Sequence, residues 1–74
     1  MTQMLISRPA LHVVPELHER CDRCGAAAKL YVTVKNTGDL AFCGHHANRY
    51  TELILASGTR VAVSEGFTWR GATG

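Results

Sequence analysis

No apolar run in this chain approaches the roughly 20 residues that span a bilayer, so no membrane helix is predicted. The opening Met1-Thr2-Gln3-Met4-Leu5-Ile6-Ser7-Arg8 lacks the basic region and long apolar stretch of a signal peptide. With three cysteines, intramolecular disulfides cannot use every thiol, and a secreted disulfide scaffold carries a denser, even set. The expected location is therefore the reducing cytoplasm, where thiolates persist as metal ligands. Excess charge is also scarce. The net charge is +2, and Arg8, Arg20, Arg23, Lys29, Lys35, Arg49, Arg60 and Arg70 are spread along the chain rather than clustered as on a nucleic-acid-binding face. At 74 residues there is room for one domain. A core that small is marginal without a staple such as a metal ion.

What is present points to that staple. Cys21-Asp22-Arg23-Cys24-Gly25 is followed by Cys43-Gly44-His45-His46. Each short loop offers ligands at i and i+3, the spacing with which proteins build a tetrahedral Cys3His zinc site. Gly25 and Gly44 allow tight turns in which backbone N–H groups face the thiolates and offset their charge. His46 matches the spacing of the first loop, and His45 is the competing ligand, one residue closer to Cys43. The predicted metal ligands are Cys21, Cys24, Cys43 and His46, holding one structural Zn2+.

The stretch between the loops alternates. Leu30, Val32 and Val34 interleave with Tyr31, Thr33 and Lys35, Asn36-Thr37-Gly38-Asp39 supplies turn residues, and Leu40-Ala41-Phe42 runs into Cys43. This predicts a β-hairpin whose two ends meet at the metal. Beyond the second loop the period changes to that of a helix, with Ala47, Tyr50, Leu53, Ile54 and Ser57 on one side. A single helix is predicted over about residues 45–57, stopped by Gly58 in a left-handed cap. Thr59 to Ser64 alternates like a strand, and Phe67-Thr68-Trp69-Arg70 alternates once more after the turn at Glu65-Gly66. Pro9 and Pro15 limit Leu11-His12-Val13-Val14 to a short edge or extended segment, and residues 1–20 read most simply as a partly ordered arm. His12 and His18 are expected to be exposed.

Other chemistries fit less well. A Cys-x-x-Cys redox pair needs the βαβ units of a thioredoxin-like fold, for which the chain is too short. A catalytic zinc keeps a coordination position open and needs a general base nearby, whereas four ligands are available here and no carboxylate is placed by spacing for that role. His18-Glu19 does not match the spacing of the zinc deaminase motif. No enzyme is predicted.

The segments Cys21-Asp22-Arg23-Cys24-Gly25-Ala26-Ala27-Ala28 and Leu40-Ala41-Phe42-Cys43-Gly44-His45-His46-Ala47 resemble a family of small actinobacterial and actinophage proteins. Those proteins carry a CDRCGA-like loop, one hairpin, an FCGHH-like loop and a helix. The likeness covers residues 20–55. It implies a zinc ribbon or treble-clef-like module, with Cys21, Cys24, Cys43 and one of His45 or His46 as the matching ligands.

The expected fold is thus α+β: a knuckle, a β-hairpin, a second knuckle feeding a helix, then short C-terminal strands. Residues 1–19 are read as an N-terminal arm, 20–58 as the zinc-binding core, and 59–74 as a strand and tail packing on or extending that core. The expected function is a non-enzymatic adaptor that docks on a larger protein, such as transcription or phage-related machinery. The surplus apolar C-terminal strands offer an edge to a partner's sheet or to a second copy. The alternative is a nucleic-acid-binding zinc module. Candidate contact residues for either are Arg20, Arg23, Lys29, Arg49 and Trp69, with Trp69 also a candidate for the core.

Overall fold

A computed structural model describes residues 9–72 of the chain, so Met1–Arg8 of the expected arm and the last two residues lie outside the described part. The architecture is α+β, with one four-stranded sheet carrying two short helices. Strand β1 spans Ala10–Val14, β2 Leu30–Val34, β3 Gly38–Phe42 and β4 Gly58–Ser64; helix α1 spans Gly44–Arg49 and α2 Thr51–Ser57. The strand order is β1-β4-β2-β3. β2 pairs antiparallel with both β3 and β4, and β1 pairs parallel with β4. No helix among the described residues is long and apolar enough to cross a membrane.

The alternation in β2 does what its period demands. Leu30 and Val32 point to the helix side and are fully buried, opposite Val63 and Val61 of β4. Tyr31 and Thr33 face the other way, and the Tyr31 hydroxyl donates to Asp39 across the hairpin at 2.7 Å. The turn uses two left-handed residues, Asn36 (φ 66°) and Gly38 (φ 101°), the residue types that tolerate that conformation. Phe42, Ala47, Ile54 and Trp69 complete the core with Cys21 at its edge.

Four expectations need correction. The helix is not continuous: α1 and α2 meet at Tyr50, whose φ of −101° and ψ of 24° leave the helical range. Backbone bonds Tyr50 N to His46 O and Ile54 N to Tyr50 O persist across the break. The hydroxyl of buried Thr51 donates to the Ala47 and Asn48 carbonyls at 3.1 and 2.8 Å, and this type of back-bonding bends helices. Second, Gly58 is not a left-handed cap but extended (φ −79°, ψ 145°), and α2 passes into β4 without a loop.

Third, Phe67–Arg70 forms no strand. Gly66 turns the chain, Arg70–Ala72 makes a single 3-10 turn, and Trp69 is 2% exposed, its indole N–H donating to the Ala47 carbonyl at 3.0 Å. Trp69 is therefore a core residue rather than a partner or nucleic-acid contact. Fourth, β4 offers no free edge, because β1 and β2 flank it on both sides. The segment read as part of an arm supplies β1, so the sheet recruits strands from outside residues 20–58 at both ends of the sequence.

Gly58 is required for closeness rather than for φ. A Cβ there would stand 2.7 Å from the Ile54 carbonyl oxygen and 2.7 Å from Val32 Cγ2. Gly58→Ala is accordingly expected to cost about 1–3 kcal/mol, the usual penalty of overpacking, measured by denaturant unfolding of the metal-loaded protein. A neutral result would mean that α2 and β2 separate more easily than this packing implies.

Candidate metal centre

The two loops leave the same open end of the β2–β3 hairpin, one leading into β2 and the other following β3. In the first, Gly25 N donates to the Cys21 carbonyl at 2.8 Å and Cys21 N to the Ala26 carbonyl at 2.7 Å. Gly25 takes φ 81°, which is why a glycine ends the loop. The second loop is the start of α1: Cys43 is its N-cap residue and the Ala47 N–H donates to the Cys43 carbonyl at 2.8 Å. One helical turn then carries His46 back over Cys43.

The ligand atoms of Cys21, Cys24, Cys43 and His46 all lie within 4.8 Å of one another. His46 Nδ1 is 3.5 Å from Cys21 Sγ and 3.4 Å from Cys43 Sγ, and the Cys24 and Cys43 sulfurs are 3.7 Å apart. A tetrahedral zinc with ordinary bond lengths would set sulfurs about 3.8 Å apart and sulfur to nitrogen about 3.6 Å. The shorter separations are already edges of that tetrahedron, and closing the rest asks for side-chain movement of about an ångström. The four residues could hold a metal ion, and their donor set and spacing are compatible with one zinc. His45 is exposed and outside the cluster, its ring edge-on to His46 at 5.1 Å.

The thiols differ in their electrostatics. Burial alone would raise the Cys21 pKa from its ordinary 9.0, but hydrogen bonds from the backbone of Cys43, Arg23 and Cys24, and from the Cys24 side chain, bring it down to about 6. The Arg23 N–H, 3.4 Å from the sulfur, is one of these donors. At Cys24 the Ala26 backbone acts downward, but burial and the neighbouring Cys21 and Cys43 sulfurs outweigh it and push the thiol up. Crowded sulfurs of this kind need a cation between them before all can ionise.

Around the ligands stand residues that the spacing argument did not single out. Asp22 N donates to the Ala41 carbonyl at 2.8 Å while the Asp22 carboxylate accepts the Ala41 N–H at 2.7 Å. The loop is thereby fastened to the outer edge of β3. The only sequence signal was a carboxylate between two cysteines, which also suits an exposed turn. Tyr50 stacks on His46 with centroids 5.9 Å apart and 14° between planes, and Arg23 lies over the Tyr50 ring at 5.7 Å. Of the other expected contact residues, Arg20, Lys29 and Arg49 are exposed, and the Arg20 guanidinium donates to the Gly25 carbonyl at 3.2 Å.

Beside the metal ligands a groove runs between α2 and β3. Two hollows of about 310 and 220 Å3 meet on Leu40, Phe42 and Leu53. The larger ends at Asp22, Arg23 and Tyr50, and the smaller reaches Val34 and Ile54. Leu53 is 56% exposed within it.

A family model described as a domain of unknown function (DUF7455) matches residues 15–68. The chain belongs to the DUF7455 family. The match takes in both ligand loops, the hairpin, both helices and β4, so the candidate metal centre lies wholly inside the DUF7455 domain. Neither the curated proteins nor the solved structures gave a match.

Two measurements check the centre. In zinc-loaded protein, His46→Ala is expected to lose several kcal/mol of metal-linked stability, from a site worth on the order of 10 kcal/mol in all. His45→Ala should shift the melting transition by no more than about 0.5 kcal/mol. The reverse order would move the ligand and the helix start by one residue. Acidification supplies the second check. Because the folded Cys21 pKa is depressed, its ionised form contributes stability that is complete above about pH 9, declines as pH falls, and is gone below about pH 6. Metal retention against a chromophoric chelator should weaken in that direction, and retention independent of pH would exclude thiolate ligation.

Proposed function

We propose that the chain is a non-enzymatic adaptor. One structural zinc ion, held by Cys21, Cys24, Cys43 and His46, stabilises a treble-clef-like module, and the groove between α2 and β3 receives a segment of a partner protein. The observation that carries this reading is Leu53, a large apolar side chain 56% exposed in a groove continuous with Leu40 and Phe42. A domain this small needs its large apolar groups inside, and exposed apolar surface bounded by polar groups is the mark of an interaction site.

The groove also suggests what its partner offers. Its floor calls for a leucine- or phenylalanine-sized anchor. At that end the Asp22 carboxylate is held against β3 by the Ala41 N–H, and the Arg23 guanidinium over the Tyr50 ring is the cation offered to a partner. The partner segment is therefore expected to carry Asp or Glu beside its anchor. The alternative, a nucleic-acid-binding module, has weaker support, because Arg20 is engaged with the Gly25 carbonyl and the net charge is only +2, with the basic residues spread along the chain.

Selection of binders from a random peptide library tests the proposal. The expected outcome is a set of peptides sharing an apolar anchor flanked by acidic residues, with binding weakened at least about tenfold by Leu53→Asp. Leu53 is exposed enough for that variant to keep its fold, as circular dichroism would verify. Peptides that bind Leu53→Asp as well as the unaltered chain would overturn the groove. A steeply salt-dependent complex with nucleic acid, in place of peptide binding, would favour the alternative.

A further inference from the structure

The two outer edges of the sheet are finished differently. On β3 the backbone of Ala41 faces outward and is taken by Asp22 from both its N–H and its C=O. On β1 no strand among the described residues pairs with the outer edge. The Val14 carbonyl accepts the Glu65 N–H on the β4 side, so by strand alternation Leu11 and Val13 present their N–H and C=O groups outward. Their side chains share the helix-side face with Val61 and Val63, their register partners in β4. Yet Leu11 is 44% and Val13 68% exposed. The apolar face of the core thus runs on past the helices to an edge that no other described strand covers. Natural edge strands are usually blunted by charge, proline, shortness, a bulge or a cover; β1 is short and flanked by Pro9 and Pro15, but between them it carries no Asp, Glu, Lys or Arg.

We infer that the β1 edge is a self-association surface, on which a second copy of this chain pairs its own β1 antiparallel about a two-fold axis at His12. The strand's pattern is what favours a second copy over another partner. Reversed upon itself about His12, Ala10-Leu11-His12-Val13-Val14 sets Leu11 opposite Val13 on the helix-side face and Ala10 opposite Val14 on the other, where the two His12 side chains meet at the centre. The outward backbone groups then coincide as well. Leu11 and the second copy's Val13 exchange both N–H and C=O, the hydrogen-bonded pair of an antiparallel ladder, and His12 meets its counterpart in the wider, non-hydrogen-bonded position. No formal charge faces its like along the strand. The prolines at both ends fix the pairing length, because neither can donate to an extended ladder. A two-fold contact of this kind is closed, so it yields a dimer rather than a fibre. The product is one continuous sheet of two copies, with Leu11 and Val13 of each covered by the other. The groove between α2 and β3 of each copy remains free, since β1 and β3 lie at opposite edges.

Analytical ultracentrifugation of the full-length, zinc-loaded protein across a concentration series reads the association directly. The expected result is a reversible monomer–dimer equilibrium with a dissociation constant in the micromolar range or weaker, as befits an interface well under standard size. Val13→Lys should abolish it while leaving the zinc content and the melting curve of the dilute, monomeric protein unchanged, because that side chain is exposed in the monomer and lysine is a natural edge blocker. Register has its own test. His12→Cys should give a disulfide-linked dimer under mild oxidation of the zinc-loaded protein, since opposed residues of a non-hydrogen-bonded pair fall within disulfide range, whereas Ala10→Cys should not. Monomer at every concentration overturns the inference. So does slow amide exchange at Leu11 and Val13 that persists in dilute monomer, for it would mean that another segment of the same chain covers the edge. A dimer untouched by Val13→Lys places the contact elsewhere and overturns it equally.

Discussion

Three sulfurs and one imidazole nitrogen converge on a single point, and nearly everything else in this small protein is arranged to permit it. The ligands come in two pairs separated by a hairpin, so each element between them has its ends fixed by the same requirement. The hairpin must be of a length that returns Phe42 beside Leu30, as its register shows. The first helical turn must begin at Cys43 so that His46 falls back over it. Lys29 N donates to the Phe42 carbonyl at 2.8 Å, closing the strands just where the loops depart. An ion at this point would act as a cross-link between segments with too little apolar area to hold themselves together.

That constraint also explains which parts of the architecture can be read from the residues. Metal-ligand spacing and strand alternation are local signals, and both the ligand cluster and the β2–β3 hairpin could be located from them. The partnership between β1 and β4 leaves no local trace. Each is a short apolar segment, and nothing in Leu11-His12-Val13-Val14 names Val61-Ala62-Val63 as its neighbour. The break at Tyr50 was hidden for a different reason. Helical periodicity survives a bend, and the bend depends on where the Thr51 hydroxyl finds its acceptors. Trp69 was ambiguous because an indole serves equally as a core filler and as a contact surface. Its place was settled by the Ala47 carbonyl, freed near the end of α1 to accept the indole N–H.

Gly58 shows how misleading a correct instinct can be. A glycine after a helix is commonly there for its left-handed conformation, and the inference that the helix stops at this position was sound. The reason was packing: α2 and β2 come so close that no side chain fits between them. The strand begins at once, and the irregularity is absorbed in the sheet instead, where the register of β2 against β4 shifts between Thr33 and Val34. Thr59 steadies that shift by donating its hydroxyl to the Thr33 carbonyl at 3.2 Å. A bulge of this sort sharpens the local strand twist.

The parallel pairing of β1 with β4 has a consequence for the order of assembly. The hairpin, the two ligand loops and α1 are contiguous in sequence and can gather through short closures, whereas β1 must await a strand that begins at Gly58. Joining segments so far apart costs more chain entropy than closing the hairpin does. During synthesis β1 is therefore made before the strand it pairs with, and its place beside β4 exists only once Gly58–Ser64 has followed it. Of the described strands, β1 is the one whose seating waits on the longest closure of the chain.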